Sequence, residues 1–238
     1  MVLVWQGWLG GITASLIVLS SVIFGLLSFY KSIKLKARLL SIAGMVMIFV
    51  GFLWLGPTTD FFLKLITDAN LSPEIIYVFL SYAWVGPALF FAMYLGGELL
   101  IPKYKWILVG IFVVLGAIFE FFLWTQPGPG IGQSFEFIEP RPLVGGIIDA
   151  GFNRGHPTFF MVLIMLVSSL IFLGIGSAVK AKQATGTLRK KFAYLSVGFI
   201  IFVACAALDS ILTLDIAIGI VRVVMATFAL WMYLGLKT

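Results

Sequence analysis

Residues 180–222 read KAKQATGTLRKKFAYLSVGFIIFVACAALDSILTLDIAIGIVR. Lys180, Lys182, Arg189, Lys190 and Lys191 crowd the first twelve positions, and an apolar run follows from 191 to 213. About 20 apolar residues suffice for a helix to cross a bilayer core of about 30 Å. Asp209 lies near the far end of that run, and the short stretch Leu212-Thr213-Leu214-Asp215 leads into a second run that carries Arg222. A basic loop, a span, a tight hairpin and a returning span are the signature of a polytopic membrane protein.

The same reading extends through the chain. Apolar runs at 5–30, 37–57, 74–101, 105–125, 157–180, 191–213 and 215–236 predict an all-α, seven-transmembrane-helix bundle in a single domain. Composition agrees: 61% of the 238 residues are hydrophobic and 11% charged, whereas soluble domains are about 45–50% apolar and about 25% charged. The first run opens MVLVWQGWLGG with no basic residue ahead of it, so it reads as a retained helix and not a cleaved signal.

Charge sets the expected orientation. Lys31, Lys34, Lys36, Arg38, Lys103, Lys105, Lys237 and the five basic residues of 180–191 place twelve of the sixteen Lys and Arg on one side. Lys64, Arg141 and Arg154 fall on the other, together with Asp60, Asp68, Glu74, Glu136, Glu139, Asp149 and Asp215. The positive-inside rule then puts the N-terminus outside and the C-terminus in the cytoplasm of a multi-pass cell-membrane protein. The net charge of +6 is therefore a topology signal and not a nucleic-acid footprint. Trp5, Trp8, Trp54 and Trp124 read as outer interface anchors, and Trp106, Trp231, Tyr30, Tyr104, Tyr194 and Tyr233 as inner ones. The inner basic loops could also meet anionic lipid or an acidic signalling partner.

Residues 126–156 form the one sizeable connection, QPGPGIGQSFEFIEPRPLVGGIIDAGFNRGH. Pro127, Pro129, Pro140 and Pro142 oppose helix. Phe135, Phe137, Ile138, Leu143, Val144, Ile147, Ile148 and Phe152 favour burial, so the connection is expected to fold over the outer end of the bundle as a lid. His156 and Asp149 are two ligand-type side chains in that loop, too few for a metal site, and no cofactor is expected.

Charges within spans are costly and face partners. At 1.5 Å per residue, Arg222 lies roughly 10 Å and Asp209 and Glu120 roughly 6 Å below the outer boundary. Asp209 and Arg222 sit on adjacent antiparallel spans and are expected to pair. The ligand-binding candidates are Glu120, Asp209 and Arg222 as polar groups, with Tyr82 and Trp84 as aromatic walls and Pro87 loosening the backbone below them. A structural ion pair is the competing reading. Glu98 is expected to meet Lys103 or Lys105.

Other chemistries lack their residues. The last span has no lysine except Lys237 at its end, which excludes a retinal Schiff base. The only histidine, His156, lies in a loop, which weighs against a buried serine–histidine hydrolase; no GxxxxGK[ST] loop occurs, and the lone Cys205 forms no internal disulfide. An arginine beside two carboxylates opposes an aspartyl dyad. These absences weigh against an enzyme. Small sugar carriers with parallel repeats have proline in their repeat helices beside a Pro-Gln pair; spans one and five here have no internal proline, and no Pro-Gln occurs.

The segment LRKKFAYLSVGFIIFVACAALDSIL, followed by a last span that bears an arginine and ends WMYLGL, resembles the seven-helix sensor regions of prokaryotic histidine kinases and stand-alone archaeal membrane proteins of similar layout. The resemblance covers the transmembrane core and implies a prokaryotic sensing module; with Thr238 just beyond the last span, an attached output domain is not expected. The expected function is receptor-like or sensor-like binding of a small molecule or lipid in an outward-facing pocket. A small-solute transporter or channel, or a structural subunit such as a homo-oligomer, is the alternative.

Overall fold

A computed structural model describes residues 3–128, 132–137 and 146–236. Among them, seven helices are long and apolar enough to cross a membrane: α1 Trp5–Leu35, α2 Arg38–Thr67, α3 Ile75–Leu100, α4 Pro102–Thr125, α5 Pro157–Gln183, α6 Gly186–Asp209 and α7 Asp215–Leu236. These lengths and compositions fit a multi-pass membrane protein. Pro129, Gly130, Ile138, Glu139, Pro140, Arg141, Pro142, Leu143, Val144 and Lys237 lie outside the described residues.

Helices α1, α2, α3, α5, α6 and α7 pack in a ring, each against the next, with α7 returning to α1. α4 lies outside that ring and packs chiefly on α3. Small residues let the backbones close up. A Cβ on Gly51 of α2 would come 2.3 Å from the Ser21 Cβ of α1, and one on Gly44 would come 2.9 Å from the Gly25 carbonyl. Such close approach is how membrane helices gain packing without a hydrophobic driving force. Phe119, Phe199, Phe228, Met47 and Met93 are fully buried between the helices, while Ile111, Ile118 and Phe121 of α4 are exposed, as bilayer-facing side chains would be.

The second helix differs from the expected 37–57. It runs on to Thr67, because Asp60 and Lys64 turn inward while Phe62, Leu65 and Ile66 face out. Pro57 does not end it. With no N–H for the Leu53 carbonyl, proline is accommodated by a 3-10 turn over Phe52–Trp54. Trp54 thus falls at mid-helix and is buried, not an interface anchor. Three other helices are irregular near mid-length or beside a proline. In α3, Ala83 and Trp84 form a turn four and three residues before Pro87. In α5, Leu170–Ile175 is π-helical. In α7 the α geometry breaks at Thr227, where Ser20 Oγ of α1 donates to the Ala226 carbonyl at 2.8 Å. Neighbouring side chains commonly satisfy backbone freed in this way.

The connection between α4 and α5 is not wholly irregular. β1 Phe135–Phe137 pairs antiparallel with β2 Ala150–Phe152, with Phe135 opposite Phe152 and Phe137 opposite Ala150. This ribbon is the one departure from all-helical structure among the described residues. Phe135, Phe137, Ile148 and Ala150 are buried against the helices. At the opposite end of the bundle, where the basic loops lie, Glu98 pairs with Lys105, and Lys31 lies 5.0 Å over the Tyr233 ring.

Candidate functional site

The Asp209–Arg222 pair forms as the antiparallel α6–α7 hairpin requires. Arg222 Nε donates to Asp209 Oδ1 at 2.8 Å and Nη2 to Oδ2 at 3.3 Å, a side-on bidentate pair. Both side chains are largely buried, 12% and 14% exposed. Nη1 points toward α1 and lies 3.9 Å from where a Cβ on Gly10 would sit.

Asp149, on the connection, lies within the electrostatic reach of this pair. The segment that carries it is pinned on both sides. Asp60, fully buried on α2, accepts from the Ile148 amide at 2.7 Å, from the Leu71 amide at 2.7 Å and from Asn70 Nδ2 at 2.9 Å. Asn70 also donates to the Gly146 carbonyl at 3.1 Å. On the other side, the Tyr82 hydroxyl donates to the Ala150 carbonyl at 3.0 Å, and its ring stacks on Phe135 at 4.6 Å and lies tilted against Phe152 at 4.8 Å. Residue 149 is therefore held between an anchor on α2 and an anchor on α3.

The Asp149 side chain is open to a water-sized probe, yet protein surrounds it deeply enough that burial pushes its carboxyl above the usual range. The Arg222 guanidinium opposes that rise, Asp209 and Asp215 reinforce it, and the Ala150 backbone lies beside the carboxylate. Tyr77 and Tyr82 of α3 share the electrostatic reach of Asp149, Asp209 and Arg222.

The remaining sequence candidates lie elsewhere. Glu120 is on α4, outside the ring. Its Oε2 accepts from Trp124 Nε1 at 3.2 Å, and its Oε1 faces the Gly86 backbone at the α3 break without a well-formed hydrogen bond. Trp84 turns the other way from Tyr82. Its ring packs on Phe49 and Phe52 of α2, and its Nε1 donates to the Leu80 carbonyl. His156 does not meet Asp149. It caps the N-terminus of α5, at the end of the connection, where Nδ1 accepts from the Thr158 amide and Nε2 contacts Gln126 Oε1 at 2.9 Å. No group of three metal-ligating side chains occurs among the described residues.

Seven helices long and apolar enough to cross a membrane define the class, a multi-pass membrane protein. No family model, curated protein or solved structure matches this chain.

Proposed function

We propose that this chain is a receptor-like or sensor-like protein of the cell membrane that binds a small molecule at the outer end of the bundle, beside Asp149 and the Asp209–Arg222 pair. Asp149 carries the reading. It is reachable by solvent, deep in protein, and within the field of a bidentate Arg222–Asp209 pair. Pairing that served packing alone would not require a third charged group held open beside it. The positive-inside rule assigns the basic end to the cytoplasm, so the N-terminus and Asp149 lie outside. The resemblance of the seven-helix layout to kinase sensor regions favours signalling over catalysis. The inner basic loops then offer the docking face for an acidic cytoplasmic partner, and membrane lipid surrounds the bundle. A homo-oligomer is compatible with this role.

One observation favours transport as the second reading. α2, α3, α5 and α7 each lose regular α geometry within the bundle, and discontinuous helices are a feature of carriers. Beyond Arg222, however, α7 reads VVMATFALWMYLGL toward the basic end, which offers little polar path.

Native mass spectrometry from mild detergent tests the proposal. A stoichiometric small molecule present on the unaltered protein and lost in a folded Arg222→Leu variant supports it. A stable oligomer carrying bulk lipid alone overturns it in favour of a structural role.

A further inference from the structure

Resting on the outward ligand site proposed above for what it uncovers, we infer that the clasp around His156 is an acid-released latch, which holds the β1–β2 ribbon to the ends of α4 and α5. The ring stands where three elements meet. His156 is 6% exposed and lies in extended backbone just ahead of Pro157. Toward α4, Nε2 is 2.9 Å from Gln126 Oε1, and the ring meets Phe122 edge-on with centroids 5.1 Å apart. Toward α5, Nδ1 is 3.3 Å from the Thr158 amide and 2.9 Å from Thr158 Oγ1. Thr158 Oγ1 reaches on to the Ser134 carbonyl at 3.5 Å. Ser134, at the foot of β1, donates its amide to the Gln126 carbonyl at 2.9 Å, and Asn153, at the foot of β2, donates its amide to the Ser134 carbonyl at 3.1 Å. Both feet of the ribbon therefore close around one imidazole.

This clasp requires a neutral ring. An amide N–H can only donate, so Nδ1 must present its lone pair, and the proton resides on Nε2, toward Gln126 Oε1. A second proton, on Nδ1, removes the acceptor that caps the Thr158 amide at the start of α5. The new N–H can turn to Thr158 Oγ1, but the amide stays uncapped. The positive charge then sits, shielded from water, at the positive end of the 27-residue α5, where the helix dipole opposes it. Among the described residues no acid offsets that charge. Phe122, Gln126, Thr158, Ser134 and Asn153 are uncharged, and α5 has no charged residue before Lys180. Glu120 of α4 is turned to Trp124 and Gly86. Glu136 of β1 is exposed, and Arg154, also exposed, is itself a cation. Burial alone moves the imidazole, and moves it below its usual value. The released ring thus binds protons more tightly than the latched one. The latch keeps full strength above about pH 6.5 and weakens as pH falls below it, a range in which histidine is the usual switch.

The Asp60 contacts at Leu71 and Ile148 contain no imidazole. Acid therefore frees the α5 end of the ribbon and leaves Ile148 as the hinge, lifting the cover beside Asp149. Acid outside the cell then uncovers the ligand site.

Two measurements on the full-length protein in detergent test the latch. Ser134 is fully buried, so Ser134→Cys in a Cys205→Ser background reports release through its rate of reaction with methyl methanethiosulfonate, normalised to a free thiol at the same pH. One proton taken up by a released ring raises the open population by up to about thirtyfold between pH 7.5 and pH 5.0. The normalised rate should rise at least threefold and no more than about thirtyfold; a smaller rise overturns the latch. With His156→Gln added, the rate, whether high or low, should be the same at both pH values within twofold. A rise that persists in that variant belongs to another group and overturns the assignment to His156. The second measurement exploits the single histidine of the chain. Isotope-labelled histidine followed by nuclear magnetic resonance should show the Nε2–H tautomer and a titration below about pH 6.5. An Nδ1–H tautomer, or titration at or above that value, overturns the latch. Neither readout involves a ligand, so failure of the latch and failure of the ligand site are told apart.

Discussion

Replacing Asp60 by alanine should release the connection from the bundle. The carboxylate accepts from two backbone amides, those of Leu71 and Ile148, and from the Asn70 amide group. It is fully buried. Each buried donor left without an acceptor costs about 1–3 kcal/mol. Three orphaned donors give a gross loss of about 3–9 kcal/mol, from which the cost of burying a carboxylate must be subtracted. A net local loss of about 3 kcal/mol is a reasonable centre. At about 1.4 kcal/mol per factor of ten, that is a rise of roughly a hundredfold in opening of the 146–152 segment. Hydrogen–deuterium exchange with peptide resolution reads it directly, with the Ile148 amide as reporter and the α6 amides as internal control. The change should be confined to 68–74 and 146–152. Exchange at Ile148 within threefold of the unaltered protein would refute the idea that Asp60 holds the connection down. Uniform acceleration across all helices would show instead that Asp60 supports the whole bundle.

Three further outcomes are expected. In a double-mutant cycle, Asp209→Asn and Arg222→Leu should each cost about 3 kcal/mol, and the double variant little more than one alone, because breaking a buried pair leaves an uncompensated charge; additive costs would sink the pairing. Burial lowers the His156 imidazole below its usual value, so the released connection binds protons first. Docking of 153–159 should be complete above about pH 6.5 and weaken as pH falls below it, measured by exchange corrected for intrinsic rates; flat protection down to pH 5 would contradict this. Gly51→Ala should destabilise by about 1–3 kcal/mol through overpacking against Ser21, and Ser21→Gly should rescue it in thermal unfolding; failure of rescue would place the clash elsewhere.

The seven helices and the Asp209–Arg222 pair were legible because length, hydropathy and height along a helix can all be counted along the chain. Height does not fix azimuth. Glu120 lies at a similar height to Asp209, but its helix sits outside the ring, and nothing in its own sequence says so. Tyr82 and Trp84 could have been separated in advance, since residues two apart on a helix point about 200° away from each other. The helical extent of 58–67 was hidden because Pro57, Asp60 and Lys64 all read as a membrane boundary, whereas Asp60 is spent inward on the connection and Lys64 on the Asp68 carbonyl and Asn70. Asp149 was hidden for a related reason. A loop residue has no height until its anchors are known, and those anchors, Asp60 and Tyr82, lie far from it in sequence.

The two-sided pinning of residue 149 has a mechanical consequence. Its neighbour Ile148 is tied to α2 and its neighbour Ala150 to α3, so the carboxylate is slung between two helices like the midpoint of a short cable. A sideways displacement of either helix must lengthen one tether or carry Asp149 with it. The reverse also holds, since coupling between binding and shape is reciprocal. Whatever draws Asp149 toward Arg222 loads α2 and α3 together. Both helices are already jointed, at Phe52–Trp54 and at Ala83–Trp84, so the load arrives just above the points where each rod bends most easily.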